Sequence, residues 1–458
     1  MIDYQEREKL GSRRLFGYSL GAVPAGLMIL IFNLKYIELF YDELLLDPFL
    51  FIIGQVIYLF VNAFNDPLLG DLSDRTDPKR WGSRRIIYIK YGGPIWAFAF
   101  LLVWFPWSFD DQLIIFLHYV ISICLFDTLF TLIVIVWMAL LPEMTYDLDE
   151  RNKANFWTGV LGLLTVLPFL IILGEMNPTT AGFQSIMIFV AVVSTICLFI
   201  VAFLCEERPE LQSDESHPLL RSVKETMKSR SFLIFIAFNF TGAFNGSIGL
   251  SYLFVYLLVL GEAGLLVYFG LGIILGYVSN FICMKLHETK NWDMYTIIIR
   301  FSTIKILGTM ILLPFVLYTD NLLMIYILLL FGSFFSGYGL FNTPMLYLSM
   351  DEDEVRYGLR REGMFLGMNA LFTKPASSIG PIVATIVLTA FSYEPGTAVQ
   401  LESALFGIKL LFFLVPTISS LIGLMIIYYY PLKGEKLEAM REQLKAIHDK
   451  KLSVKQLQ

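Results

Sequence analysis

The chain has 458 residues, of which 56% are hydrophobic and only 16% charged, with a formal net charge of −6 and a mean hydropathy of +0.66. A soluble domain carries about 25% charged residues, so this composition excludes one. The apolar residues fall in blocks of about 20, the length that crosses about 30 Å of hydrocarbon, without the apolar–polar alternation of a membrane barrel. A polytopic, all-α membrane protein is expected.

The N-terminus is charged (Glu6, Arg7, Glu8, Lys9, Arg13, Arg14). It lacks a cleavable-signal pattern, so the first span is expected to act as its own insertion signal. The blocks predict about twelve spans, at 15–40, 49–71, 86–106, 113–141, 155–173, 183–204, 231–260, 264–284, 294–317, 322–349, 362–391 and 403–430. Asn155, Thr158 and Pro168 interrupt the fifth. The longest polar connector, 205–230, contains Pro209 and Pro218 and divides the chain into a six-helix half at 1–204 and another at 231–430. The tail, 431–458, alternates Lys and Glu and reads as a solvated or surface-lying helix.

Loops 71–85, 142–154, 205–230, 285–293 and 350–361, with both termini, carry Lys or Arg. Loops 41–48, 107–112, 174–182, 261–263, 318–321 and 392–402 carry Asp or Glu and no Lys or Arg. Lys and Arg stay cytoplasmic, so both termini are expected in the cytoplasm and the chain in the plasma membrane. The cysteines Cys124, Cys197, Cys205 and Cys283 show no metal spacing and read as packing residues.

Asn62, Asn65 and Asp66 stand at helical spacings that turn them to a common face. A carboxylate at a span centre costs roughly 2.5–3.5 kcal/mol, so such groups usually face an ion or substrate path. Asp66 is therefore expected to bind a cation or proton, and to ligate the metal if the ion is sodium. The plainer alternative is a helix-end cap, with Pro67 marking a kink. Asp127, deep in the fourth span, is either a proton carrier or a protonated residue bonded for packing. Lys374, about twelve residues into its span, calls for a carboxylate partner, Asp66 or Asp127; otherwise it snorkels to the headgroups. Lys35 and Glu38 can pair at i, i+3.

The loop charges Asp74, Arg75, Arg84, Arg85, Glu143, Asp149, Glu150 and Arg151 are expected to face Asp351, Asp353, Arg360, Arg361 and Glu362 as a cytoplasmic gate of interdomain ion pairs. Topology alone would also put basic residues there. Trp96, Trp104, Trp107, Trp137, Trp157, Tyr252, Tyr256, Tyr338 and Tyr347 could stack on a sugar face, though most are more simply anchors or packing.

The loop after the fourth span, LPEMTYDLDERNKANFW, and that after the tenth, MLYLSMDEDEVRYGLRREGMF, share an acid–base order at matching places. Two six-span halves with a site between them are a known transporter architecture. With NDPLLGDLSDRT and RWGSRR, these motifs resemble, over nearly the whole chain, the glycoside–pentoside–hexuronide:cation symporters. These are melibiose-permease-like members of the major facilitator superfamily. The resemblance implies that Asp66 and Asn65 form the cation site. Asn62 stands where the sodium users carry another carboxylate, which makes a proton more plausible. It also matches Lys374 to the family's eleventh-span lysine. The sugar-binding acids implied for the first and fourth spans are absent: VPAGLM stands in one and Val134 in the other.

No GxxxxGK[ST] motif and no Ser/His/Asp constellation is present, and His118, His217, His287 and His448 are scattered. The expected function is accordingly not enzymatic and needs no cofactor. It is alternating-access symport of a small organic solute, a sugar or glycoside, with Na⁺ or H⁺. The alternatives are a lysolipid or other amphiphile as cargo, or a non-transporting receptor or scaffold. The expected partners are the solute, the coupling cation and the lipid bilayer, with no nucleic acid, and the protein is expected to be a monomer.

Overall fold

Within hydrocarbon a backbone must satisfy its own polar groups, so each apolar block becomes a helix. A computed structural model describes residues 11–74, 76–145, 148–174, 176–207, 226–251, 262–290, 292–318, 322–357, 362–397 and 399–456. Most of the connector, 208–225, and the end of the seventh span, 252–261, lie outside the described residues. The first half contains α1 (Ser12–Ser19), α2 (Ala22–Ile37), α3 (Pro48–Asp74), α4 (Pro78–Trp81), α5 (Ile86–Trp104), α6 (Gln112–Met144), α7 (Leu148–Gly174) and α8 (Ala181–Leu204). The second contains α9 (Arg230–Ser251), α10 (Glu262–Lys290), α11 (Met294–Tyr318), α12 (Leu322–Phe334), α13 (Asn342–Tyr357), α14 (Glu362–Thr373), α15 (Pro375–Ala390), α16 (Glu402–Lys409), α17 (Val415–Tyr428) and the tail helix α18 (Glu435–Gln456).

A helical passage stands at each of the twelve expected spans, and ten among the described residues are long and apolar enough to cross a membrane. Several are broken where proline withdraws a backbone donor. Pro24 follows the turn that separates α1 from α2, Pro375 follows Lys374 between α14 and α15, and Pro416 follows the π-helical turn Leu410–Leu414. The fifth span is continuous with Pro168 inside it, and begins at Leu148 because Leu148–Ala154 extends the helix into the loop.

The chain forms two compact units, Met1–Ser216 with Pro395–Thr397, and His217–Glu394 with Ala398–Gln458. In the first, α5 packs on α6 and α8, α3 packs on α6, and α1 and α2 pack on α7 and α8. Phe32, Trp96, Phe100, Trp104, Phe126 and Phe183 are fully buried in its core. Phe126 lies 4.7 Å from Phe32 and 5.8 Å from Phe100, ring centre to ring centre. Trp96 and Trp104 thus pack the interior of the half. Gly54 lets α3 approach α6 closely: a Cβ there would lie 2.5 Å from the Tyr119 ring. In the second unit α9 packs on α15 and α17, and α10 and α11 pack on α12. The tail helix lays Leu437 and Met440 into a core with Met345, Leu346 and Phe232. All four cysteines are free thiols, three of them buried.

Candidate functional site

Gln55, Tyr58, Asn62 and Asn65 follow one another on α3 at intervals of three, four and three, a single helix face. All four are buried. The stripe lies against α6. Tyr58 Oη donates to Asp127 Oδ1 at 3.2 Å, and Asn65 Nδ2 approaches Asp127 Oδ2 at 3.5 Å. Asn65 Nδ2 also donates to Thr128 Oγ1 at 3.1 Å. Farther along, Gln55 Nε2 donates to Tyr36 Oη at 3.2 Å and to the Tyr119 hydroxyl. Asp127 is 4% exposed, yet each carboxylate oxygen meets a donor. A buried carboxyl group needs such partners, and Tyr58 and Asn65 supply one to each oxygen of Asp127. The carboxylate, amide and hydroxyl oxygens gathered here are hard-cation ligands.

Asn62 is buried one turn from Asn65, as its spacing predicts. Asp66 follows Asn65 in α3, while its side chain lies outside the described residues. Tyr58, Gln55 and Thr128 were not singled out from sequence. Extending the Asn62–Asn65 spacing toward the start of α3 would have found the first two; Thr128 carries no signal apart from its neighbour Asp127.

Lys374 stands at the break between α14 and α15, half-buried, its N–H donating to Ala370 O at 2.9 Å. Ser377 Oγ donates to its carbonyl at 2.6 Å. One turn earlier, Asn239 Nδ2 of α9 donates to Asn369 Oδ1 at 2.9 Å. This polar patch belongs to the second unit. Lys35 pairs with Glu38 at 2.6 Å, as the spacing predicts.

Several of the loop charges have bonded neighbours. Arg85 Nε meets Glu143 Oε1 at 3.0 Å, both groups buried, and the Arg85 guanidinium also donates to Ser73. Burial raises the Glu143 carboxyl above its ordinary range, and the Arg85 charge opposes that rise. Thr145 Oγ1 donates to Glu150 at 2.7 Å. Glu207, unremarked in the sequence, accepts from Ser83 Oγ at 2.7 Å and from the backbone N–H groups of Arg84, Arg85 and Ile86 at 2.8, 2.6 and 2.7 Å. It closes the start of α5, whose first donors have no helical partner. In the second unit Glu352 accepts from Ser231 and, at 2.5 Å, from Arg356. Arg84 and Asp351 are half-buried and Asp353 is buried. Arg75, Arg360 and Arg361, with the side chains of Asp74, Asp149, Arg151 and Glu362, lie outside the described residues.

The family described as MFS/sugar transport protein matches residues 17–434. The chain is 24% identical to the putative glycoside/cation symporter YagG of Escherichia coli (strain K12), over 93% of this chain and 94% of that one. It is 24% identical to the sodium-dependent lysophosphatidylcholine symporter 1 of Mus musculus, over 85% and 79%. It is 21% identical to transmembrane protein 180 of Gallus gallus, over 79% and 78%. A crystal structure of a D-xylose-proton symporter superposes with a TM-score of 0.61 at 11% identity, covering 92% of this chain and 97% of that one. The fold is that of the major facilitator superfamily.

Proposed function

The chain belongs to the MFS/sugar transport protein family, and on that premise we propose that it is a cation-coupled symporter of a sugar or glycoside, working by alternating access. It is an integral, multi-pass membrane protein. The observation that carries the reading is the buried Asp127 carboxylate, held by Tyr58 and Asn65 at the junction of the second and fourth spans. A carboxylate in that setting has two stable states, donor-bound anion or ion-loaded. Loading it with a proton or cation would free Tyr58 and Asn65 to rearrange. Asp66, beside Asn65, is the second coupling acid in this scheme. Asn62, an amide where a second carboxylate would favour sodium, supports a proton over Na⁺.

The plasma membrane, cytoplasmic termini and a monomeric state complete the proposal; the Lys- and Arg-bearing loops support the orientation. The gate role of the loop charges also stands as a proposal, tested by whether Arg361→Ala shifts accessibility toward the inward-open state.

A second reading, lysolipid cargo, is favoured by the absence of any acid from Ser12 to Ile37 in the first span and by Val134 in the fourth. A relative named as a lysophosphatidylcholine symporter supports it. Proteoliposomes with imposed Na⁺ or H⁺ gradients, offered labelled glycosides or lysophosphatidylcholine, decide between the two. Gradient-driven glycoside accumulation, abolished by Asp66→Asn in folded protein, is the expected result. Accumulation of lysolipid alone selects the second reading, and no uptake of either class rejects both.

A further inference from the structure

At the foot of the last span, α17, the start of α9 and the start of the tail helix border an open cleft of about 520 Å³. Arg230, Lys433 and Lys436 line it, with Tyr428, Tyr429 and a single acid, Glu435. We propose that this cleft binds the headgroup of an anionic phospholipid.

The charge balance is cationic, and among the described residues these three cations make no ion pair. Glu435 opens the tail helix, where an acid is favoured by the positive end of its own helix. Lys433 is fixed in place. Its Nζ donates to Tyr295 Oη at 2.9 Å and Tyr428 O at 3.1 Å, and lies 4.2 Å from the Tyr295 ring centre. Arg230 is the first residue of α9, so the positive end of that helix adds to its charge.

A lipid, rather than a free phosphate, is indicated by what leads into the cleft. Ile418, Ile422 and Met425 on α17, with Tyr429 just past its end, recur at intervals of four, three and four, and all four are exposed. This apolar stripe gives an acyl chain a track that ends at the basic cleft. Tyr428 and Tyr429, 60% and 65% exposed at the end of the span, have the placement of aromatic residues at headgroup level. Basic pockets at the ends of membrane helices recognise anionic headgroups.

The test uses the purified full chain in detergent, with phosphatidylglycerol, phosphatidylcholine or glycerol 3-phosphate added and retention read by native mass spectrometry. Wild type should retain phosphatidylglycerol at least about tenfold better than phosphatidylcholine. Arg230→Ala with Lys436→Ala removes two exposed side chains and should weaken retention by about 30-fold, roughly fivefold per basic residue. Arg230→Lys with Lys436→Arg should restore it. A control that removes equal charge elsewhere, Lys285→Ala with Arg441→Ala, should leave it intact. The proposal is overturned if the cleft variant retains phosphatidylglycerol as wild type does, or if the control loses it equally. Displacement of the lipid by equimolar glycerol 3-phosphate also overturns it, since the site would then be one for a soluble anion.

Discussion

Tyr58 and Asp127 meet across 3.2 Å, phenol to carboxylate, and their contact ties α3 to α6 inside the first half. The close approach depends on Gly54, one turn before Tyr58, which faces the Tyr119 ring without a side chain of its own. A mid-span carboxylate thereby gains the donor that lipid would deny it.

The first prediction concerns that pair. A hydrogen bond to a charged group is worth about 1.5–3 kcal/mol, so Tyr58→Phe should reduce gradient-driven accumulation by about tenfold or more. Asp127→Asn should abolish it while leaving downhill exchange measurable. Uphill uptake by Asp127→Asn at the wild-type level would remove Asp127 from the coupling scheme.

Arg85 and Glu143 form a buried pair, and removing one member of such a pair costs about 3–5 kcal/mol. Arg85→Ala should therefore lower the thermal unfolding temperature in detergent, and Arg85→Ala with Glu143→Gln should recover part of the loss. The pH dependence has a definite sign. Burial raises the folded-state pKa of Glu143, so the carboxyl favours the folded state when protonated. That contribution is complete below the unfolded value of 4.5 and is lost as pH rises through the folded value. Without Arg85 the rise is larger, so the deficit of Arg85→Ala relative to wild type should widen from pH 4 toward neutrality. A deficit independent of pH would argue that Arg85 acts through Ser73 alone.

Glu207 is the cap of α5, although it follows α8 in the chain. Replacing a helix cap costs about 0.5–2 kcal/mol, and Glu207→Ala also strips the Ser83 hydroxyl of its acceptor. A loss of about 1–3 kcal/mol in stability is expected. Glu207→Gln, which keeps an acceptor oxygen, should lose less. Equal unfolding temperatures for the two variants would show that the bonds themselves contribute little.

The tail helix is anchored by Leu437 and Met440. Truncating two buried side chains of this kind costs about 2–5 kcal/mol each when the cavity stays open, so Leu437→Ala with Met440→Ala should expose the tail to limited proteolysis. Resistance equal to wild type would mean that other contacts hold α18 in place.

The sequence by itself determined the class of the protein. Twelve apolar blocks, their division at 205–230 and the restriction of Lys and Arg to alternate loops are properties of local composition and length. They are readable because a bilayer imposes one thickness and one charge rule on every segment. The spacing of Asn62 and Asn65 was legible for the same reason, since a helix repeats every 3.6 residues whatever it packs against.

Partnerships between distant residues were not legible. Arg85 and Glu143 read as two members of one expected gate, and only the packed chain showed them bonded to each other, 58 residues apart. Glu207 looked like one acid among several in a connector until folding brought it to α5. Asp127 stood without a visible partner until folding brought Tyr58 and Asn65 against it. Which donor meets which acceptor depends on helix rotation and on where small residues such as Gly54 permit close approach. These properties belong to pairs of helices, and no single stretch of sequence contains them.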